Sequence, residues 1–551
     1  MSVLVRVFEI VSRRHVIVLL AIHAIAIVVV ARQLPPGAWF VGDPGIKLVA
    51  ARSAVAHPSR PLETELPPVA RDVVEQYRQP FYVPHDDHAH AFTSALFPVL
   101  SAPFLSLFGL RGLYVLPAIG WLLIPPLTIA LSRRLQTRAS PTAIWIGMAA
   151  LSPFVFYGLE FWEHAPAIAA SLGAACLALR TPTSSGAIRQ PGAVRLVGAG
   201  LLGAVAVLLR PEAGWSLAAL ALVIVLRQPR AASLEPLAFL ALGAAVGVAP
   251  LALYNLLHFG TLTPEHVSGN LAQLSRSWWQ ERLDFAGIWL GVHRSWTRVA
   301  FGLAVLGAVA GRLGGRRTWA TWIAMIGIAG LALELGRGHE LRENLWRAFP
   351  LALLVFLPPG RGTPARRALW LLVVLPLVGV LLTAPNDGGG QWGPRYLLGI
   401  VPPLLLLVFD TTTTMAAAVG RGVAWWFVAA VMAASAAVTH SGYRELAEAK
   451  TFYAAMASET ANEAGDRPVL TDVWWVPQVN AAVLEHSRVL WVDVPEKGAR
   501  WLETRPAVEV LLVVNAAGPV PIDDWTRGTC YRAVAERRSE QELVYVRLSC
   551  R

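Results

Sequence analysis

Long apolar runs recur along this chain from residue 16 to residue 439. Several of them approach the roughly 20 residues that an α-helix needs to cross a bilayer. Hydrophobic residues make up 55% of the 551 residues and charged residues only 15%, whereas soluble chains carry about 25% charged residues. A water-soluble core cannot cover so many apolar runs. The sequence therefore predicts a polytopic α-helical membrane protein.

Hydropathy and helix breakers divide the apolar part into 13 predicted spans. The first is expected to be an uncleaved span, because no small-residue cleavage site follows its basic leader. One further stretch, 92–109, contains Pro98 and Pro103 and is expected to lie at the interface or re-enter. The predicted spans are 16–32, 112–131, 142–158, 164–180, 193–209, 213–227, 234–257, 298–312, 318–335, 344–358, 368–384, 396–410 and 423–439.

Arginine decides the predicted topology, because cytoplasmic loops carry an excess of basic residues. If 92–109 crossed, the later loops would invert and the rule would fail in nearly all of them. The chain is therefore expected in a bacterial inner membrane, with the N-terminus cytoplasmic and the C-terminus extracytoplasmic. The inside loops would contain Arg6, Arg13 and Arg14; Arg133, Arg134 and Arg138; Arg180, Arg189 and Arg195; Arg227 and Arg230; Arg312, Arg316 and Arg317; Arg361, Arg366 and Arg367; and Arg421.

The net charge of +11 is assigned to this topology and to contact with membrane lipids, and no nucleic-acid partner is expected. Residues 1–439 are predicted to form a transmembrane domain, in which 33–111 is a first extracytoplasmic loop with interfacial helices. Residues 440–551 alternate strand-like runs such as VEVLLVVN with helix-like stretches. This alternation predicts a small soluble extracytoplasmic α/β domain.

Cys530 and Cys550 flank a predicted hairpin centred at Ser539–Glu540, so the two cysteines would lie opposite each other. Outside the cytosol they could form a disulfide. Two free thiols are the alternative, and the sequence leaves both open. The third cysteine, Cys176, lies alone in an apolar run.

The first loop begins with WFVGDPGIKLVAARS, where Asp43 stands in a Gly-Asp-Pro-Gly turn just beyond the membrane. Partial desolvation could raise the pKa of such a carboxyl group and tune its basicity. Alternatively, Asp43 caps the helix that follows it.

A second polar group in the same loop is FYVPHDDHAHAF, in which Asp86, Asp87 and His88 stand close to His85 and His90. His and Asp are common metal ligands, but the cluster has no second half, and a solvated loop explains it as well. Its place beside the apolar stretch 92–109 makes it a candidate source of a second acidic group for the Asp43 pocket.

Ionisable residues also gather at other outer membrane boundaries. Glu160, Glu163 and His164 lie at helical spacing around Trp162 in YGLEFWEHAPA. Ionisable groups at this depth are costly and usually functional, although a snorkelling helix end with a Trp anchor is the alternative. Arg210, Arg337, Arg342, Arg347 and Arg395 face outside in the predicted topology and so have no topological role there.

These arginines could pair with nearby carboxylates such as Glu212, or several together could hold a phosphate. Arg395 stands just before a predicted helix, whose N-terminal N–H groups would add to an anion site. The chain has no Walker A loop, no GxGxxG in the required context, no HExxH, no paired CxxC and no GxSxG.

The layout resembles the GT-C superfamily of membrane glycosyltransferases, which includes protein O-mannosyltransferases and aminoarabinose transferases. Four segments carry the resemblance: VGDPGIKLVAARS after the first span, FTSALFPVLSAPFLSLFGL before a span ending in SRRL, LLRPEAGW, and GGGQWGPRYLLGIVPPLL. The resemblance covers most of the membrane part, roughly residues 10–410.

The resemblance implies a donor sugar on a polyprenyl phosphate and a lipid, glycan or protein acceptor. Asp43 would be the general base of an inverting transfer, with Asp86 or Asp87 as the second acidic residue. Arginines would hold the departing phosphate: Arg210, Arg347 and Arg395. The resemblance also leaves open whether a divalent cation, Mg²⁺ or Mn²⁺, takes part. The expected substrate pocket contains His88, Glu160, Glu163, His164 and Tyr396.

Two other functions compete with this interpretation. A transporter or flippase of lipid-linked or anionic substrates would explain many spans and buried arginines. It predicts charges near the middle of the bilayer and an internal repeat, whereas the charges here gather at one face. A membrane scaffold that displays the C-terminal domain would leave Asp43 dispensable.

Overall fold

The full chain was analysed as a computed structural model. The structure describes residues 2–40, 42–65, 82–85, 88–91, 94–137, 139–180, 191–227, 234–262, 278–292, 294–313, 317–335, 344–358, 362–388, 391–485, 488–506, 508–516, 521–539 and 543–550.

Helices dominate the described part of the chain. In chain order they are α1 (Ser2–Arg32), α2 (Asp43–Ala56), α3 (Leu96–Phe108), α4 (Val115–Leu135), α5 (Pro141–Ala149), α6 (Phe154–Gly158), α7 (His164–Ala178), α8 (Ala193–Leu209), α9 (Ala213–Leu226), α10 (Leu234–Phe259), α11 (Trp278–Trp289), α12 (Ser295–Leu313), α13 (Arg317–Leu335), α14 (Leu345–Ala348), α15 (Pro364–Thr383), α16 (Val401–Val419), α17 (Arg421–Ala464), α18 (Val476–Val479), α19 (Pro495–Glu503) and α20 (Ile522–Thr526). Four 3₁₀ segments, Gly109–Tyr114, Pro350–Phe356, Arg395–Ile400 and Asn480–Ala482, connect some of them.

Eleven described helices are apolar candidates for the membrane. Seven are long enough to cross it, and four shorter apolar helices of 10–17 residues accompany them. They include α7, α8 and α9, whose interiors lack charged residues. The predicted fold class, a polytopic helical membrane protein with a small C-terminal sheet, is confirmed.

Two of the 13 predicted spans are not continuous helices. The stretch 142–158 divides into α5 and α6, because Pro153 has no N–H to continue the ladder and Ser152 turns its hydroxyl to the carbonyl of Met148 at 2.7 Å. The stretch 344–358 divides at Pro350 into α14 and a 3₁₀ segment. A hydropathy profile alone does not detect such breaks.

The chain folds as two compact units. The first contains Met1–Val29 and Pro117–Arg444. The second contains Val30–Leu116 and Glu445–Arg551, so the predicted first loop and the C-terminal residues belong to the same unit.

The second unit contains two sheets, whose strands are β1 (Thr64–Glu65), β2 (Tyr82–His85), β3 (His88–Ala91), β4 (Val469–Thr471), β5 (Val489–Trp491), β6 (Val510–Asn515), β7 (Tyr531–Arg538) and β8 (Leu543–Cys550). The small sheet has the order β1-β3-β2 and the larger one β5-β4-β6-β8-β7. β4 pairs in parallel with β5 and β6, and β8 runs antiparallel to β6 and β7. The predicted strand-like run VEVLLVVN contributes β6 to the larger sheet.

The last hairpin brings its two cysteines together. β7 and β8 pair antiparallel with Tyr531 opposite Cys550, and Cys530 and Cys550 form a disulfide with their Cα atoms 4.9 Å apart. Of the two alternatives that the sequence left open, the structure contains the disulfide. Cys176 is a buried free thiol.

Candidate functional site

A cleft of about 410 Å³ in the first unit brings together five of the polar residues that the sequence singled out. Its polar lining includes His164 at the start of α7, Arg210 and Glu212 between α8 and α9, and Arg395 and Tyr396 in the 3₁₀ segment before α16. Residues more than 200 positions apart therefore line one concave surface.

Arg210 is the electrostatic centre of one wall. Its Nη1 lies 3.1 Å from Glu163 Oε1, and its Nε donates to Glu212 Oε1 at 2.7 Å. The exposed fraction is 14% for the Arg210 side chain and 4% for Glu163, so this ion-pair network is largely desolvated. Of the two alternatives that the sequence offered for Arg210, the structure shows the pairing with Glu212, and Glu163 adds a second carboxylate.

Arg395 and Tyr396 belong to the same lining. Arg395 Nη2 donates to the Tyr396 hydroxyl at 3.2 Å, and that hydroxyl donates to Asn386 Oδ1 at 3.0 Å. The Tyr396 ring also lies between two cations: the guanidinium carbon of Arg395 is 5.0 Å from the ring centroid and that of Arg210 is 5.5 Å away. Tyr396 thus links the two arginines through its face and its hydroxyl.

The two arginines differ in the charge around them. Two carboxylates already offset the charge of Arg210, so the Arg210–Glu163–Glu212 group is net negative when all three are ionised. Arg395 has a neutral hydroxyl beside it and begins a helical segment that continues into α16. Unsatisfied N–H groups at a helix start favour an anion. The N–H groups at the start of this segment would add to an anion site beside Arg395.

An aromatic cluster surrounds His164. The ring centroid of Tyr157 lies 4.8 Å from that of His164 and the Trp162 centroid lies 5.6 Å away. Glu160 is fully buried, and its Oε1 accepts the N–H of Phe161 at 3.0 Å. The snorkelling alternative for this segment is wrong, because Trp162 and Glu160 are both completely shielded from solvent.

Arg347 does not line the cleft that contains Arg210 and Arg395. It lies in the short helix α14, where its guanidinium carbon is 5.8 Å from the Trp392 ring centroid. Arg337 and Arg342 lie outside the described residues.

Asp43 belongs to the second unit, where it is the half-buried first residue of α2. Gly42 occupies the N-cap position, so the alternative in which Asp43 itself caps the helix is not what the structure shows. The carboxylate stands in the first turn, where the helix dipole favours negative charge. Lys47, one turn later on the same face, is only 2% exposed.

The turn around Asp43 is held by C-terminal residues of the same unit. A Cβ on Gly45 would approach the backbone oxygen of Gln478 to 1.9 Å, and one on Gly42 would collide with the Gln478 side chain. Arg52 Nη1 donates to the carbonyl of Ala481 at 2.6 Å. The glycines of the Gly-Asp-Pro-Gly turn therefore allow the segment between β4 and β5 to pack directly on α2.

Lys450 secures the chain just before the turn. It is completely buried in α17, and its Nζ donates to the carbonyl of Ala38 at 2.9 Å and to the Tyr114 hydroxyl at 3.0 Å. Sequence reasoning assigned no role to Lys47, Lys450 or Gln478. A signal was present for the lysines, since the chain has only three and two of them are buried.

The predicted metal-binding cluster is only partly described. Asp86 and Asp87 lie outside the described residues, and His88 is placed as the first residue of β3, opposite His85. Among the residues that the structure does describe, no three His, Cys, Asp or Glu side chains gather as metal ligands. The described donor set therefore gives no basis for a step through Mg²⁺ or Mn²⁺.

The chain matches solved structures along nearly its whole length. ArnT from Cupriavidus metallidurans in the apo state aligns with a TM-score of 0.50 and 14% identity, covering 98% of each chain. ArnT from the same organism bound to undecaprenyl phosphate gives a TM-score of 0.48 and 13% identity, covering 96% of this chain and 97% of that one. The oligosaccharyltransferase of Archaeoglobus fulgidus in complex with Zn and sulfate gives 0.49 and 12%, covering 96% and 72%.

No family model and no curated protein matches the sequence. The alignment with apo ArnT shows that the chain has the fold of ArnT. The resemblance inferred from the sequence is thereby confirmed at the level of the fold.

Proposed function

We propose that this protein is a membrane glycosyltransferase that moves a sugar from a polyprenyl-phosphate donor to an acceptor hydroxyl outside the cytoplasm of a bacterial cell. The observation that carries the proposal is the ArnT fold across 98% of the chain. The acceptor class is a lipid, a glycan or a protein.

The proposed reaction is a single displacement. The acceptor oxygen attacks the anomeric carbon, the bond from that carbon to the phosphate oxygen breaks, and the configuration inverts. Asp43 takes the acceptor proton, and the polyprenyl phosphate leaves as an anion. The position of Asp43 at the start of α2 supports this role, because the helix dipole favours a negative charge in the first turn and a general base must be held in place. Asp86 or Asp87 is proposed as the second acidic residue.

Arg395 is proposed to hold the departing phosphate. Guanidinium groups bind phosphate through paired hydrogen bonds, and fixed donors at the place where negative charge develops lower the barrier. Tyr396 fixes the plane of Arg395 through its ring and hydroxyl. Arg210 is proposed to shape the same wall, with its charge offset by Glu163 and Glu212, while His164 and the buried Glu160 complete the polar side. Arg347 is proposed as a further contact to the donor phosphate.

The test uses wild-type protein in membrane vesicles, supplied with a panel of radiolabelled polyprenyl-phosphate sugars. Undecaprenyl phosphate, which ArnT from Cupriavidus metallidurans binds in one of its structures, is the first carrier in the panel. Transfer of label to a new product with release of the free lipid phosphate supports the proposal. Movement of intact labelled donor across the membrane, with no new glycosidic bond, overturns it in favour of a flippase.

The same assay is repeated after EDTA treatment and after return of Mg²⁺ or Mn²⁺. Activity that is lost with EDTA and restored by the cation assigns a metal, and Asp86, Asp87 and His88 are then the first ligands to substitute. Undiminished activity removes the metal from the proposal and leaves the direct displacement intact.

A further inference from the structure

A second pocket in the first unit is lined almost entirely by arginine. It has an empty volume of about 790 Å³, and its wall consists of four arginines and Ala130. Arg133 and Arg134 come from the last turn of α4, Arg180 follows the end of α7, and Arg195 lies in the first turn of α8. Three helices therefore direct four cations into one opening.

The two loops beside this pocket carry no acidic residue in their sequence. The loops 136–140 and 179–192 contain neither Asp nor Glu. Within the described ranges, Arg134 donates to the carbonyl of Leu179 at 3.0 Å and Arg195 to the carbonyl of Cys176 at 3.5 Å. Neutral carbonyls orient these two guanidinium groups but leave their charge in place.

Arg180 provides an independent indication of a ligand. Its Nε is buried and has no hydrogen-bond partner in the part of the chain that the structure describes. A buried donor without an acceptor costs about 1–3 kcal/mol. An anion in the pocket would supply the acceptor.

The arginine pocket is separate from the cleft that contains Arg210 and Arg395. The cleft includes His164 at the start of α7 and Arg210 after α8, whereas the arginine pocket lies at the other ends of these two helices. A helix of 15 residues such as α7 spans about 22 Å. The two sites are therefore separated by most of the thickness of a bilayer core, which is about 30 Å.

Topology alone does not account for the arrangement. The positive-inside rule needs basic residues in a loop, and a single arginine such as Arg421 satisfies it. It does not need four guanidinium groups around one volume, where like charges repel one another unless an anion screens them.

We propose that the arginine pocket binds a phosphate-bearing anion, through paired guanidinium hydrogen bonds to the phosphate oxygens. Phosphate is the chemistry that an anionic lipid headgroup and a soluble phosphate share. The fourfold cationic wall favours a group with two or more negative charges. The site is distinct from the proposed donor site and does not depend on the transfer reaction.

The experiment has two arms on full-length protein purified in an uncharged detergent. In the first, native mass spectrometry counts the phosphatidylglycerol and cardiolipin molecules that stay bound. In the second, inorganic pyrophosphate is titrated and the Tm is followed. Both arms compare wild type with the double variant Arg180→Gln, Arg195→Gln. The matched control is Arg421→Gln, an exposed arginine at the start of α17 that does not line the pocket.

Wild type is expected to keep at least fivefold more anionic lipid than the double variant, or to gain Tm with pyrophosphate where the double variant does not. Higher lipid retention identifies the bound anion as a lipid headgroup, and a gain in Tm identifies it as a soluble phosphate. Arg180→Lys keeps the charge and loses the planar guanidinium group. Its lipid retention and its Tm response are expected to lie between those of wild type and those of the double variant. It also tests the site if the double variant does not fold. Equal lipid retention and equal Tm response in wild type and all variants overturn the proposal.

Discussion

The backbone carbonyl of Gln478 occupies the space that a side chain on Gly45 would need. A Cβ at Gly45 would lie 1.9 Å from the Gln478 oxygen, and the same residue's side chain closes over Gly42. The turn that presents Asp43 is therefore built from two distant parts of the sequence. Its geometry depends on glycine at position 45, where the Gln478 backbone passes, and at position 42, where the Gln478 side chain passes.

Gly45→Ala is expected to destabilise the second unit, because the obstructing atom belongs to the backbone and cannot rotate away. Overpacking of this kind costs about 1–3 kcal/mol. The Tm of the purified protein measures the loss, and transfer activity is expected to fall with it because the Asp43 turn must move.

Gly302→Ala is the control for this substitution, since Gly302 also lies in a helix but has nothing within 4 Å of its would-be Cβ. It should leave the Tm unchanged or slightly higher. A Gly45→Ala protein as stable as this control would show that the packing of Gln478 on the turn is not tight.

Tyr396→Phe removes one hydroxyl from the cleft and keeps the ring. The hydroxyl accepts from Arg395 at 3.2 Å and donates to Asn386 at 3.0 Å, so its loss frees the Arg395 side chain to leave its plane. We expect donor KM to rise or kcat/KM to fall about tenfold, which corresponds to the roughly 1.4 kcal/mol of a lost hydrogen bond to a charged group.

Arg395→Lys is the companion variant, because it keeps the charge and loses the fork. Its activity should fall further than that of Tyr396→Phe. If both variants retain wild-type kinetics for the donor, the cleft does not bind the phosphate.

Arg210→Gln removes the cation that Glu163 and Glu212 share. Removing one partner of a buried ion pair costs about 3–5 kcal/mol, and the 4% exposure of Glu163 places this pair in that class. The free energy of unfolding, followed by denaturation of the detergent-solubilised protein, measures the effect.

The double variant Arg210→Gln, Glu163→Gln tests whether the loss comes from the pair. It should be more stable than Arg210→Gln alone, because one uncompensated charge has been removed. Additive effects of the two substitutions would indicate that the pair contributes no coupling energy.

The disulfide between Cys530 and Cys550 is expected to stabilise the C-terminal hairpin. It closes a loop with a sequence separation of 20, for which chain entropy predicts about 3 kcal/mol. The double variant Cys530→Ser, Cys550→Ser should lower the Tm, and a reducing agent should lower that of wild type by a similar amount. Cys176→Ser is the control, since this thiol takes no part in the bridge. Maleimide labelling of both cysteines in native membranes without reductant would contradict the expectation.

Sequence reasoning predicted the membrane class, the terminal sheet and the polar residues of the cleft because these leave local signals. Apolar runs indicate helices, and the strand-like run 510–515 indicates β6. Arg210 and Arg395 stood out because arginine has no topological use at an outer helix end. The predicted topology put these two arginines on one side of the membrane, but their spacing of 185 positions in the sequence gave no distance between them.

Other features depend on contacts that a sequence pattern does not encode. The break at Ser152–Pro153 lies inside an apolar run, so hydropathy counted one span where the structure has two short helices. Gln478 is an ordinary residue of a polar segment, and only the fold places it on Gly45. The pairing of Arg210 with Glu163 joins residues 47 positions apart. It forms only when α7 and α8 pack against each other.

The most direct test of the account compares sugar transfer by wild type and by Asp43→Asn in membranes at equal protein abundance. Asparagine keeps the size of the side chain and its place at the start of α2, but it cannot take the acceptor proton. The account predicts that transfer falls by orders of magnitude while the Tm is little changed. Asp284→Asn, on the exposed face of α11, is the matched control and should transfer normally. Wild-type activity in Asp43→Asn would contradict the central claim and move the search for the base to Asp86 and Asp87.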